Sequence, residues 1–263
     1  MLTLAAAAFA LIGTGCDLSL NLFSGMGLPE YDVAEIKAKA DSDPAGAVED
    51  VQTMIDSGQV TDENRKEILE ALDTAYIKAG DTKTQQKASL LSAQVEITGN
   101  EGSKTLVSNT SSVITDVLNS PDPSSMENDE LIFSLTSGVR DSSDDELREM
   151  FETLKKASTD YSDFADLIGV DPELSDGEKG DLLIMATMTM VISDTYESLV
   201  EDDQQVLIDF IQGDASSDDL DIALGGYDPT SSFQEGADLM KIVEYADDGG
   251  DIYQTLSELG SGS

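Results

Sequence analysis

The chain has no histidine, no tryptophan, one cysteine and only 14 lysines and arginines in 263 residues. Without histidine the commonest general base and the usual zinc ligand are missing, and no Ser-His or Cys-His nucleophile pair can form. A lone cysteine allows no internal disulfide, so packing alone must hold the fold. The shortage of basic residues leaves no patch to release counterions from a phosphate backbone, which excludes nucleic acid as a partner. Aromatic residues are sparse as well: seven Tyr and seven Phe are few for a sugar-stacking cleft, which argues against glycoside cleavage by paired carboxylates. No Gly-x-Ser-x-Gly elbow, Walker loop or Gly-x-Gly-x-x-Gly run occurs, so hydrolase, nucleotide and dinucleotide chemistries lack their carriers. The chain reads as a non-enzyme that needs no cofactor.

Acid is abundant. The 54 Asp and Glu give a formal charge of −40. Residues 157–263 hold only two basic residues, Lys179 and Lys241, so the negative charge grows towards the C-terminus. Such a field repels nucleic acids and anionic head groups. Three readings fit it: adaptation to high salt, where screening relieves self-repulsion; binding of divalent cations; or a basic partner.

Residues 2–15 form an apolar run from Leu2 to Gly15 that ends in small residues, and Cys16 follows at once. The run is too short for a membrane span, which needs roughly 20 apolar residues, and has the length of a secretory h-region. Thr14 and Gly15 before Cys16 resemble the cleavage site of a bacterial lipoprotein signal, although Gly13 stands where such signals usually carry Leu and no Lys or Arg precedes Lys37. The resemblance implies a signal peptide over 1–15, removed to leave Cys16 as a lipidated N-terminus. It also implies a membrane anchor through that lipid and a place in the cell envelope, facing the periplasm or the exterior. An ordinary secretory leader with a coincidental cysteine and a buried N-terminal helix are the alternatives. Residues 16–31, with two glycines and a proline, read as the tether.

From Asp32 onward punctuation and period both predict helix, and no stretch alternates with period two. Asp43-Pro44 caps a helix that stops at Gly58; Thr61 caps another, with Ile68, Leu69, Leu72, Ala75 and Tyr76 as its apolar stripe; Asp81 to Thr98 makes a third, stopped by Gly99. A fourth runs from about Ser103 to Leu118, and Pro121 and Pro123 break the chain. Further helices are predicted over 125–138, 142–157, 159–169, 175–200, 202–213, 217–224, 230–246 and 249–259. The fold class is therefore all-α: a helical array or irregular α-solenoid with a more globular C-terminal half. A helical-repeat-like region over 32–120 is expected to carry an acidic helical region, 121–263, packed upon it.

Leu72, Tyr76 and Gly80 are spaced as at the end of the first helix of a tetratricopeptide repeat, which the stretch resembles over about ten residues. The match stops at Gln85, and no second copy follows at a spacing of about 34. An ordinary helix with a glycine C-cap reads equally well. The resemblance implies a groove between stacked helices that holds a peptide or another envelope protein, with Tyr76 as a candidate contact. Residues 182–192 are the most apolar stretch beyond the leader. A helix apolar all round belongs at the centre of a bundle. Its Met185, Met188 and Met190 could alternatively line a pocket for an apolar or cationic solute, because thioether side chains adapt to irregular shapes. Asp247, Asp248 and Asp251 supply oxygen ligands for a weak Ca2+ site, but no frame there puts a glycine sixth and a glutamate twelfth. Three roles stay open: a protein- or peptide-binding or scaffolding module, a solute binder that serves a transporter, and a purely structural envelope protein.

Overall fold

The computed structural model describes residues 31–109, 136–168, 176–225 and 236–247, with positions 174, 233, 234, 253, 254 and 257. The leader, Cys16, nearly all of the tether, the proline break and most of the segments predicted over 103–118, 125–138 and 249–259 lie outside the described residues. Among the described residues every regular element is a helix, so the fold is all-α as expected. None of these helices is long and apolar enough to cross a membrane.

Helix α1 (Val33–Ser42) starts where Asp32 accepts the Ala34 N–H. Asp43 then serves twice, ending α1 and capping α2 (Pro44–Asp56) through the Gly46 N–H at 3.1 Å, while Pro44 loses nothing at a position whose N–H has no intrahelical partner. Helix α3 (Asp62–Lys78) begins at Thr61, whose N–H donates to Asn64 Oδ1 at 2.8 Å. Helix α4 (Thr82–Thr98) begins at Asp81, which accepts the Thr84 N–H at 2.8 Å. Helical residues 101–109 (α5) follow.

After residue 136 come α6 (Asp144–Asp166), α7 (Asp176–Ser198), α8 (Glu201–Gln212), α9 (Ser217–Ala223) and α10 (Asp238–Asp247). Helix α6 replaces the two helices predicted over 142–157 and 159–169. The apolar period runs unbroken through Leu147, Met150, Phe151, Leu154, Ala157, Tyr161 and Phe164, all buried, and Thr159 satisfies its hydroxyl on the Lys155 carbonyl at 3.1 Å. A continuous buried face outweighs the weak helix propensity of Ser158 and Thr159. Gly213 ends α8 at φ +87°, a left-handed position that side chains with a Cβ rarely adopt.

Two apolar clusters hold these helices. One gathers Ile36, Val51, Met54, Ile68, Leu72, Leu91 and Val95 from α1 to α4. The other gathers Leu90, Ile97, Met150, Leu154, Phe164, Leu182, Met188, Ile208 and Ile242, from α4 and from the helices beyond it. Helix α4 contributes to both, with Leu91 and Val95 turned to one and Leu90 and Ile97 to the other. Each fully buried Leu or Ile adds about 1.5–3 kcal/mol of transfer free energy. Residues 182–192 of α7 are buried nearly all round, as their sequence predicts, and Phe151 of α6 stacks on Tyr196 of α7 at a centroid distance of 4.3 Å. Packing of α4 against both α3 and α6 sets the position of the site.

Candidate functional site

A solvent-open cleft of about 380 Å³ lies among α3, α4 and α6. Helix α3 presents Leu69, Leu72, Asp73 and Tyr76, one step of the helical period apart; α4 presents Ala88, Ser89, Ser92 and Glu96; α6 presents Lys156, Thr159, Asp160 and Asp163. Seven of these twelve side chains are hydrocarbon or hydroxyl and five are charged. Four carboxylates face one rim ammonium, Lys156.

Glu96 is the only acidic residue of α4 and is 7 % exposed. Burial pushes its carboxyl above the ordinary range, and the charges of Arg65 and then Lys156 pull it back. Arg65 itself is a hub: its guanidinium stands 4.0 Å from Glu96, 3.5 Å from Glu149 and 3.5 Å from Asp62, with the Thr153 hydroxyl at 3.4 Å. It thereby ties α3 to α4 and α6. Gly99 makes room for it, since a Cβ there would lie 2.8 Å from Arg65 Cδ.

Asp160 is pushed up to about 7, first by burial and then by the charges of Glu96 and Asp163. Asp163 is raised too, by burial and by Asp166 and Asp238. Carboxylates from α4 and α6 thus crowd one partly dry space, and a cation placed there would relieve them. Among the described residues no group of three or more carboxylates is placed to hold a metal ion. No side chain of the lining is a strong nucleophile paired with a base.

Tyr76, the aromatic candidate from the sequence, lines this cleft half-buried. The methionines do not join it: Met188 and Met190 are buried in the second core and Met185 packs partly buried against it, which puts the solute-pocket residues inside a packed helix. Asp247, the last residue of α10, is half-buried and accepts the Tyr253 N–H at 2.9 Å. Cys16, Asp248 and Asp251 lie outside the described residues. Glu96, Ser89, Asp160 and Asp163 were not singled out by sequence reasoning. Two signals pointed to them: a lone acid between Val95 and Ile97 in an otherwise carboxylate-free helix, and Lys156, Asp160 and Asp163 at spacings of one helical face. Comparison with family models, curated proteins and solved structures finds no match.

Proposed function

We propose that this protein is a lipid-anchored binding module of a bacterial cell envelope. It holds a peptide or another envelope protein on the face formed by α3, α4 and α6, with the cleft as the pocket that anchors it. The observation that carries this reading is the cleft's lining, which joins an apolar wall of Leu69, Leu72 and Tyr76 to carboxylates on two further helices. A few convergent polar groups in a mostly apolar concavity are the usual make-up of a binding site. The absence of histidine and of a paired nucleophile supports binding without chemistry. The apolar run ending at Cys16 supports a thioether-linked lipid there and attachment to a membrane, and the negative field favours a cationic partner. A volume of about 380 Å³ also suits a free cationic solute, which is the second reading.

A photoreactive phenylalanine placed at Thr159, exposed on the rim of the cleft, is compared with one at Ile222, which is 79 % exposed on α9. Illumination of intact cells is expected to give a discrete adduct from position 159 alone, lost in the Asp160→Asn background. Equal adducts from both positions would refute the cleft as the binding face. Fractionation of wild type and Cys16→Ala tests the anchor: release of the variant from membranes is expected, and unchanged membrane association would remove the lipid from the account.

A further inference from the structure

The cleft has enough structure to say what kind of group fills it. Its α3 wall and base are hydrocarbon from Leu69, Leu72, Ala88 and the Tyr76 ring, while Asp73, Glu96, Asp160 and Asp163 stand on three different helices around it. Two polar groups of the lining are deeply recessed. Ser89 is 5 % exposed and Glu96 7 %; the Ser89 hydroxyl makes no hydrogen bond among the described residues, and Glu96 has only the Arg65 guanidinium, at 4.0 Å. Buried polar groups in folded proteins nearly always find such a partner, and leaving one without costs free energy. A complementary ligand must therefore bring positive charge, several donors and an apolar stem. The carboxylates are spread around the space and do not form one planar pair. Three tetrahedral N–H donors on a point charge match that spread better than the planar fork of a guanidinium.

We propose that the cleft takes a primary alkylammonium group, its charge among Glu96, Asp160 and Asp163 and its stem against Leu69, Leu72 and Tyr76. The inference rests on the binding reading above and specifies its ligand chemistry. A lysine side chain of a partner and a free aliphatic amine share that chemistry.

Binding is coupled to a proton. Asp160 faces Glu96 from α4, Asp73 and Tyr76 from α3, and Lys156 and Asp163 on its own helix; from α10, Asp238 acts on Asp163. With Asp160 titrating at about 7, a cation that needs its carboxylate ionised expels the proton on entry. The ammonium stays charged up to about pH 10, so the ionised fraction of Asp160 sets the apparent affinity, which falls roughly 30-fold from pH 8 to pH 5.5.

The test is calorimetric titration of the full chain with n-hexylammonium and with n-hexanol, near physiological ionic strength. Expected are saturable binding of the ammonium near pH 8, none of the alcohol, and the loss just given at the lower pH. Asp160→Asn weakens binding about tenfold or more and flattens its pH dependence, as loss of a close charge pair of 1.4 kcal/mol or more implies. Ser92→Phe, which fills the space, abolishes binding; Asp218→Asn, exposed on α9, changes nothing. A pentapeptide with one lysine between alanines, set against its norleucine isostere, separates the sources: binding of the lysine peptide assigns a partner's side chain, and binding of hexylammonium alone assigns a free amine. Equal binding of ammonium and alcohol, equal losses in Asp160→Asn and Asp218→Asn, or no binding by wild type would each overturn the proposal. Adduct formation at position 159 by a chain that ignores hexylammonium would overturn this inference and leave the binding reading standing.

Discussion

Replacing Asp160 by Asn keeps the shape of the side chain and removes a charge that the fold holds at a cost. The folded carboxyl titrates at about 7 against an ordinary value of 3.8, so the native chain binds this proton more tightly than the unfolded chain does. Stability contributed by the group is therefore complete below about pH 4, is lost as pH rises towards 7, and stays lost above it. A shift of that size corresponds to an upper bound of about 4 kcal/mol, and relaxation and water entry reduce it to about 2 kcal/mol in a cleft that solvent reaches. For a chain of this size that is a rise in Tm of roughly 4–8 °C near pH 8 for the variant over wild type. Near pH 4 the two should melt together, to within about 1 °C. Thermal unfolding by far-ultraviolet circular dichroism across this range reads the difference. A gap between the two curves that stays constant from acid to alkaline pH would refute the reasoning, because it would assign the gain to something other than the charge.

Three further outcomes follow from packing, capping and charge. Tyr161 is fully buried with a hydroxyl that has no hydrogen-bond partner among the described residues, so Tyr161→Phe should stabilise the fold by about 1–2 kcal/mol in urea unfolding; a loss of that size would mean the hydroxyl is satisfied. Ser143 and Glu146 form a reciprocal cap at the start of α6, so Ser143→Ala should cost about 1 kcal/mol in the same assay, and no change would show the cap to be idle. Raising NaCl should raise Tm as the Debye length shrinks from about 10 Å to 3 Å, with CaCl2 of equal ionic strength doing no more; a far larger effect of millimolar calcium would replace salt adaptation with a specific cation site.

Much of the fold was legible because its helix ends are written in local chemistry. Asp43-Pro44, Thr61, Asp81 and Gly99 each solve the problem of unpaired terminal N–H or C=O groups, and α2, α3 and α4 begin or end where those residues stand. The misreading of α6 has a physical reason. Ser158 and Thr159 look like a break when weighed as single residues, but Ala157 and Tyr161 on either side are buried, and tertiary packing decides. The site was harder to read. Tyr76 was visible because it continues the apolar stripe of α3. Glu96 and Asp160 are ordinary acids in sequence and become unusual only when α4 and α6 pack together and dry the space between them. The lone acid of α4 and the shared face of Lys156, Asp160 and Asp163 mark the residues, but no local pattern carries the drying of the space between them. The methionines of α7 show the converse: a conspicuous composition that packing absorbs into the core.

The proton count on ligand entry tests the central claim most directly. Titrating n-hexylammonium into the protein near pH 7, in two buffers of different ionisation enthalpy, gives the number of protons released per molecule bound. A cleft whose Asp160 carboxyl is half protonated at that pH and ionises around the bound cation releases about half a proton. Binding with identical heats in both buffers, and therefore no proton released, would contradict the account.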